Sequence, residues 1–250
     1  MASGDFTIGG IIFTIFGIVL FFFGLYIFRF KRLIENIPTS KIRSIAMGLV
    51  EIFGQAVASK NNILKSPFTN NDCVYYKYNI DEYRSTGKSA HWVTIKKGEE
   101  RRLFYLKDET GHVLINPQKA KISIKRDNCF HSGLGKDPPE NVKSFLRFKN
   151  VAYEGFLFGI NKKMRYIESY IAVGDNVYIM GTAADNPFVE EASAETGVDD
   201  IVIQKGKHDK LFYITDRSET KLLKNLNAQM YVLIGLGLLF ISIGVILIIL

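Results

Sequence analysis

Two uncharged apolar runs, one near each end of the chain, constrain the fold more than any other feature of this sequence. The first run covers residues 8–28 and the second covers residues 230–250, and neither contains Asp, Glu, Lys or Arg. A helix that rises about 1.5 Å per residue needs about 20 residues to cross a hydrocarbon core of about 30 Å. We therefore predict a transmembrane helix from each run, preceded by a tail over residues 1–7.

The charges beside the runs favour a retained anchor over a cleaved signal peptide. A signal peptide has a basic stretch before its apolar segment, whereas Asp5 is the only charged residue before the first run. Basic residues follow the first run and precede the second: Arg29, Lys31, Arg32, Lys41, Arg43, Arg217, Lys221 and Lys224. By the positive-inside rule, they predict a two-pass protein of the cell membrane with its interior domain in the cytoplasm. They would also attract anionic membrane lipids.

The segment between the runs is long enough for one large domain and is rich in strand patterns. We divide it into a linker over residues 29–44, a domain over residues 45–220 and a linker over residues 221–229. Alternating apolar residues and β-branched or aromatic content predict strands over residues 50–57, 73–83, 90–96, 102–107, 113–116, 121–125, 164–171, 176–183, 201–204 and 210–215. Turn signals such as Gly98 separate them. One helix is predicted to start with Asp137 as N-cap and Pro138 as first residue, and to end near Lys149.

Two short patterns recur in the same order in both halves of the domain. Residues 50–56 and residues 177–183 share the pattern V-x-I-x-G-x-A, and residues 103–110 resemble residues 211–218. A glycine within an alternating strand suits a small barrel, where the strand coils sharply. Two related β-units of an OB-like barrel would explain the match, and so would chance. The predicted fold class is α+β, mostly β: a β-barrel-like domain with one helix, flanked by two transmembrane helices.

Glycines recur at a spacing of seven in both apolar runs. Gly10, Gly17 and Gly24 would share one face of the first helix, and Gly237 and Gly244 would share one face of the second. Small residues allow helices to approach closely. We expect these faces to meet either within the chain or in a homo-oligomer, unless they only reflect how common glycine is in membrane helices.

The sequence predicts no catalytic, cofactor-binding or metal-binding residue. Cys73 and Cys129 are too few for a cysteine-rich zinc site, and Cys73 is expected to be buried rather than nucleophilic. The four histidines (His91, His112, His131 and His208) and the acidic residues 190–200 lack metal-ligand spacing. Residues 131–136 lack phosphate-loop spacing and are interpreted as a loop between a strand and the helix. The positive charge carries no nucleic-acid-binding motif, so no nucleic-acid partner is expected.

Two further polar sets stand out in the domain. Arg165 and Glu168 should point to opposite faces of a strand, and Asp175 should fix a turn, which favours structural roles over substrate binding. Four tyrosines occupy both faces of one predicted strand: Tyr75, Tyr76, Tyr78 and Tyr83. They could face a peptide groove, the bilayer interface or a second sheet, and the sequence does not choose between these.

With these motifs in hand, the sequence resembles the GIDE domain, also called the "beside a membrane" domain, of the membrane-anchored GIDE or MULAN ubiquitin ligases. The residues that carry the resemblance are Gly48-Leu49-Val50-Glu51 with Gly54, Leu64-x-Ser66-Pro67, Cys73-Val74-Tyr75-Tyr76-x-Tyr78 with Tyr83, Phe104-x-Leu106-x-Asp108-x-Thr110-Gly111 with Pro117, Arg165-x-x-Glu168, Gly174-Asp175-x-Val177-Tyr178-x-Met180-Gly181, and Phe212-x-Ile214-x-Asp216-x-Ser218-Glu219. They span nearly the whole interior domain and keep the order of the family.

The resemblance implies a membrane-proximal domain with the architecture of the family. Eukaryotic members of the family carry a zinc-binding RING module after the second membrane helix, and such a module is not seen before Leu250. We therefore expect a RING-less, prokaryotic-type member that acts as a binding or scaffolding module for an unknown protein partner, in membrane-associated quality control or envelope processes. The alternatives are a component of an E3-ligase-like system whose catalytic module lies on another chain, and a lipid-associated structural protein.

Overall fold

The structure, a computed structural model, describes residues 2–37, 39–58, 63–85, 87, 89–155, 161–187, 200–207, 211–217 and 219–249. The α-helices of the described chain are α1 (Ala2–Glu35), α2 (Glu140–Phe148) and α3 (Glu219–Ile249). Its strands are β1 (Gly48–Ala58), β2 (Leu64–Lys65), β3 (Asp72–Ser85), β4 (Ala90–Arg101), β5 (Phe104–Lys107), β6 (His112–Ile115), β7 (Lys121–Ser123), β8 (Asn128–Ser132), β9 (Met164–Ala172), β10 (Asn176–Asp185), β11 (Ile201–Gln204) and β12 (Tyr213–Thr215).

The chain forms two compact units, one of residues Met1–Pro38 with Arg217–Leu250 and the other of Thr39–Asp216. In the first unit, α1 and α3 are each long and apolar enough to cross a membrane. Both helices extend beyond the predicted spans, since residues 29–35 continue α1 and residues 221–229 lie in α3.

The predicted glycine faces are confirmed, and they meet each other within the chain. A Cβ atom added to Gly17 would lie 2.7 Å from the carbonyl oxygen of Gly237, and one added to Gly10 would lie 2.7 Å from that of Gly244. Gly24 faces the side chain of Ile234 in the same way. The two backbones therefore pack at distances that a larger side chain would prevent.

The second unit contains a closed barrel of five strands. Around the barrel the order is β1, β5, β6, β11 and β10, and β10 pairs with β1 to close the ring. Neighbouring strands in the ring are antiparallel except for β6 and β11, which are parallel. This connectivity is that of the OB fold, so the OB-like prediction is confirmed. The β12–β7 pair extends the sheet beyond β10.

Glycine allows close packing at two positions of the barrel, as predicted. A Cβ atom on Gly54 would contact the carbonyl oxygen of Lys107, and one on Gly181 would lie 2.8 Å from the ring of Phe212. The alternating neighbours Ile52 and Ile179 are fully buried in the barrel core. The twist of a small barrel brings backbone and rings this close only where no side chain intervenes.

The two matching strand motifs lie side by side. β1 and β10 pair antiparallel, with the isoleucine of one pattern, Ile52, directly opposite that of the other, Ile179. The two patterns therefore run in opposite directions along the strand pair. The second motifs do not follow this arrangement. Leu106 lies opposite Ala56, whereas Ile214 lies opposite Ile179, four residues before the equivalent alanine. Duplication therefore stays a hypothesis.

A second sheet is built from the two long connections of the barrel. The β1–β5 connection supplies β2, β3 and β4, and the β6–β10 connection supplies β8, α2 and β9. β3 pairs with β9 on one side and with β2 and β4 on the other, and β8 pairs with β9. α2 covers one face of this sheet, where Val142 and Leu146 pack with Phe68, Tyr78 and Tyr166. The other face packs on the barrel at Tyr75 and Ile171, and it is accessible to solvent farther along the strands, at Trp92 and Arg165.

The structure corrects three local predictions. α2 begins at Glu140 after Pro139, not at Pro138, because a residue that precedes a proline disfavours the helical region. Asp137 does not cap the helix, and its carboxylate instead accepts hydrogen bonds from Lys143 and Asn161. Gly98 is not a turn, since β4 continues through it and the ring of Tyr78 covers it at 2.8 Å from an ideal Cβ position. β2 and β8 were not predicted.

Candidate functional site

The open face of the second sheet carries a cluster of aromatic and charged side chains. Because side chains alternate along a strand, the same face presents Asp81 and Tyr83 from β3, Trp92 from β4, Arg165 from β9, and Lys163 just before β9. Asp81 lies opposite Arg165, and Tyr83 lies opposite Trp92. We call these five residues the Trp92 face.

Cations lie over both rings of the Trp92 face. The ring centroids of Tyr83 and Trp92 are 5.2 Å apart at an interplanar angle of 64°. The Arg165 guanidinium carbon lies 4.6 Å from the Trp92 centroid, and the Lys163 ammonium lies 4.1 Å from the Tyr83 centroid. Both distances are within the range of an effective cation–π contact.

A buried carboxylate fixes this arrangement. Asp81 is only 3% exposed, and it accepts hydrogen bonds from the Arg165 Nε and the Thr94 hydroxyl, each at 2.6 Å. Because Asp81 binds the Nε of Arg165, it holds the guanidinium group over the Trp92 ring. Among the described residues the terminal nitrogens of Arg165 donate no other hydrogen bond, so they are free to bind an acceptor.

The Trp92 face carries an excess of positive charge, because Lys163 and Arg165 outnumber Asp81. Lys163 is exposed and forms no ion pair within the part of the chain that the structure describes. A face with two rings, an exposed lysine and an arginine whose terminal nitrogens are unused can bind an acidic segment that also offers apolar or aromatic side chains.

The Cys73 thiol is not suited to act as a nucleophile. Its side chain is fully buried, with the sulfur 3.6 Å from the carbonyl oxygen of Leu64. Burial, reinforced by the nearby carboxylate of Glu168, raises the pKa of this thiol to about 12. A thiol that stays protonated at neutral pH is a poor nucleophile, as expected for a packing residue.

Arg165, Glu168 and Asp175 do not converge, as predicted from their spacing. Glu168 points to the α2 side of the sheet and is fully buried, where it accepts hydrogen bonds from the Phe68 amide, the Thr69 hydroxyl and the Asn128 amide group at 2.8, 2.6 and 3.1 Å. Asp175 fixes a turn by accepting from the Ala172 amide at 2.8 Å. Both carboxylates therefore have structural partners.

The described histidines lie on three different strands, and the glycine-rich segment is a loop. His91 and His112 are exposed and lie on β4 and β6, and His131 lies on β8 with its ring nitrogen 3.8 Å from the Cys129 sulfur. His208 and most of the acidic stretch lie outside the described residues. Gly133 and Lys136 exchange two backbone hydrogen bonds of 3.0 Å, which makes the segment a tight loop between β8 and α2.

The four tyrosines divide between the two faces of β3, and the second-sheet alternative is correct for Tyr75 alone. Tyr75 packs in the barrel core and Tyr78 packs beside α2. The hydroxyls of Tyr75 and Tyr76 donate to Glu99 and Glu100, each at 2.9 Å. Burial and these carboxylates raise the pKa of both phenols above the ordinary value. Only Tyr83 belongs to the Trp92 face.

A cavity of about 330 Å³ opens on the barrel, and its two carboxylates are bound by neighbouring loop residues. It is lined by Phe53, Gly54, Gln55, Lys107, Asp108, Glu109 and Asn176. Burial opposes ionisation of Asp108, yet hydrogen bonds from Thr110, Ile42 and Gly111 outweigh it and hold the pKa of this carboxyl below its ordinary value. Glu109 is paired with Lys41.

Sequence reasoning did not identify Asp81, Trp92 or Lys163. One signal was available, because Trp92 is the only tryptophan of the chain and belongs to the alternating stretch W-V-T. The pairing of Asp81 with Arg165, which are 84 positions apart, could not be read from either segment alone.

These observations define a class of protein: an OB-type barrel with an inserted second sheet, on a chain that also has two helices long and apolar enough to cross a membrane. The sequence matches the GIDE family, described as an E3 ubiquitin ligase, over residues 75–248 of 250. The chain belongs to the GIDE family. No match was found among curated proteins or among solved structures.

Proposed function

We propose that this chain is a two-pass membrane protein whose GIDE domain acts as a binding or scaffolding module in membrane-associated protein quality control or envelope processes. The observation that carries the proposal is the Trp92 face, where Asp81 holds Arg165 against Trp92 while leaving its terminal nitrogens free. Preorganised aromatic and arginine side chains are the residue types that dominate the affinity of protein interfaces.

The partner that this face fits is a protein segment with acidic and aromatic or apolar side chains. Lys163 and Arg165 supply positive charge, and the rings of Tyr83 and Trp92 supply apolar contact area. An acidic side chain bound by Arg165 would be held by a charge-assisted hydrogen bond. Replacing a central tryptophan or arginine of such an interface costs about 2 kcal/mol or more.

Co-purification of the full chain from mild detergent tests this function. We expect a protein partner with the parent chain and its loss with Trp92→Ala, because this change removes the ring on which Arg165 stacks. Phe148→Ala is the matched control, since it removes an aromatic ring that is 75% exposed on α2. Equal recovery of the same partners by all three proteins would contradict a binding role for the Trp92 face.

We further propose that α1 and α3 span the cell membrane with the interior domain in the cytoplasm. The support is the basic bias of the segments that join the domain to both helices, compared with a seven-residue tail that has none. Leu134 is 84% exposed and suits a reporter cysteine. In Leu134→Cys with Cys129→Ser, a membrane-impermeant thiol reagent should label only after lysis. Labelling of intact cells would place the domain outside.

Two alternatives keep specific support. Membership of a family described as E3 ubiquitin ligases favours a component of a ligase-like system whose catalytic module is on another chain. The basic segments beside two apolar helices favour a lipid-associated structural protein. Recovery of a RING protein with the full chain would support the first alternative, and a protease would support a role in quality control. Recovery of lipid alone would support the second alternative.

A further inference from the structure

The strand β4 forms an edge of the second sheet. Among the described strands it pairs only with β3, from Tyr75 opposite Arg101 to Ser85 opposite Ala90. The pairing shifts by one residue at Ile80 and Asp81, so Ile95 is an extra residue and the stretch from Lys96 to Arg101 is the regular part of the edge. An edge of this length presents unpaired backbone groups to a further strand.

The pairing with β3 determines which backbone groups of β4 point outward. The Arg102 amide donates to the Val74 carbonyl at 3.0 Å, so this opposed pair is a hydrogen-bonded one. Hydrogen-bonded and non-hydrogen-bonded pairs alternate in an antiparallel ladder. Residues 96, 98 and 100 therefore direct their backbone groups to β3, and residues 97, 99 and 101 direct theirs to the open edge.

The charges along this edge are complementary to themselves when the strand is reversed. Residues 96–100 read K-K-G-E-E. In an antiparallel pair of two copies centred on Gly98, Lys96 lies opposite the partner's Glu100 and Lys97 lies opposite the partner's Glu99. Lys97 and Glu99 are also the residues whose backbone groups point outward, so charge pairing and hydrogen bonding require the same register. We propose that the β4 edges of two copies of this chain pair in this way and form a symmetric dimer.

Other registers of the same edge are penalised. Moving the symmetry axis to Lys97 places two lysines directly opposite each other, and moving it to Glu99 places two glutamates opposite each other. Like charges directly opposite on adjacent strands are destabilising. Only the pairing about Gly98 brings every lysine of the stretch opposite a glutamate, which gives the edge a single preferred partner register.

The side chains are available for this pairing. Lys96 and Lys97 are exposed and form no ion pair among the described residues, and the Lys96 ammonium only approaches the Lys149 carbonyl at 3.4 Å. The carboxylates of Glu99 and Glu100 are bound by Arg101 and Arg102 at the surface, with side-chain exposures of 48% and 41%. These exposed carboxylates keep free acceptor positions.

Gly98 suits the centre of the dimer. As a non-hydrogen-bonded pair, the two Gly98 residues would approach to about 4.5 Å between Cα atoms, the shorter of the two antiparallel spacings. On the α2 side of the sheet, the Tyr78 ring already occupies the space next to Gly98. The absence of a side chain there therefore lets the ring pack on the strand while the edge remains flat.

A charge-swap experiment on the full chain in detergent tests the dimer. Light scattering should show a dimer for the parent, and K96E/K97E should weaken self-association by roughly tenfold or more, since four attractive pairs become repulsive. The variant E99K/E100K should also be monomeric. Mixing these two variants under different tags should give a heterodimer, because every pair is then of opposite charge, and combining all four substitutions should restore the homodimer.

The matched outcomes separate the proposal from its alternatives. Trp92 fluorescence and thermal unfolding check that each variant is folded, which matters most for E99K/E100K because Glu99 and Glu100 accept hydrogen bonds from the hydroxyls of Tyr75 and Tyr76. Failure of folded, mixed variants to form a heterodimer would overturn the proposal. A dimer unaffected by K96E/K97E would also overturn it, because the interface would then lie elsewhere on the chain. Trp92 lies outside the paired stretch of residues 96–100, so Trp92→Ala should leave the dimer intact.

Discussion

Glu168 provides the sharpest test of how the second sheet is held together. Its carboxylate is fully buried between β9 and the loop before β3, and it accepts three hydrogen bonds. The Phe68 amide donates one of these three hydrogen bonds, and this amide is buried. The Thr69 hydroxyl also contacts Ser66 at 2.8 Å, and Asn128 is partly exposed. The three donors therefore differ in how well they can replace the carboxylate.

The expected cost follows from these differences. Glu168→Ala leaves the Phe68 amide without an acceptor, which costs about 1–3 kcal/mol, and removes two further charge-assisted bonds that are only partly replaced by Ser66 and water. Together with the cavity that remains, we expect a loss of about 3–5 kcal/mol in the free energy of unfolding. Glu168→Gln keeps the shape and one acceptor for Phe68, and the Thr69 hydroxyl can accept from the new amide. We expect that variant to lose about 1–2 kcal/mol.

Urea unfolding of the full chain in detergent, followed by Trp92 fluorescence, measures these losses. Trp92 is the only tryptophan and lies in the same sheet, so its emission reports on the unit that Glu168 stabilises. Tyr170→Phe is the matched control, because it removes an exposed hydrogen bond of 2.7 Å to Asn71 and should change stability by less than about 0.5 kcal/mol. If Glu168→Ala cost no more than this control, the buried network would not hold the sheet.

Four further predictions concern packing, reactivity and pH dependence. Gly181→Val should destabilise the barrel by about 1–3 kcal/mol, because a side chain would overlap the Phe212 ring, and unfolding like that of the parent would contradict this. Gly17→Leu should reduce cross-linking between cysteines placed on α1 and α3, and unchanged cross-linking would refute the close contact. At pH 8 an alkylating reagent should modify the partly exposed Cys129 before Cys73. Equal rates of modification at the two cysteines would contradict the burial of Cys73. Because burial raises the folded pKa of Cys73 from 9.0 to about 12, its contribution to stability should be lost as pH rises between these values.

Local patterns were sufficient where a structure depends on neighbours along the chain. The apolar runs predicted α1 and α3 because a helix satisfies its own backbone hydrogen bonds, and the spacing of Gly10 and Gly17 placed both on one helix face. Alternation placed Ile52 and Ile179 in a core, and the glycines beside them marked close packing. The same rules misplaced the start of α2, where consecutive prolines moved it to Glu140.

Contacts between distant segments were decided only by the tertiary structure. Gly98 has the local character of a turn, yet the ring of Tyr78, 20 positions earlier, covers it and keeps it within β4. β8 is a strand because it pairs with β9, since its own sequence lacks a strand pattern. The Trp92 face requires Asp81 to meet Arg165 across a strand pair.

The sequence by itself therefore determined the two apolar helices, the strand-rich interior and its family, because periodicity and motif order act within a segment. Only the tertiary structure decided that the barrel closes through β1 and β10, and that its two long connections join into one sheet. The physical reason is that strand pairing satisfies backbone groups between segments far apart in the chain, so its register depends on which strand arrives beside which.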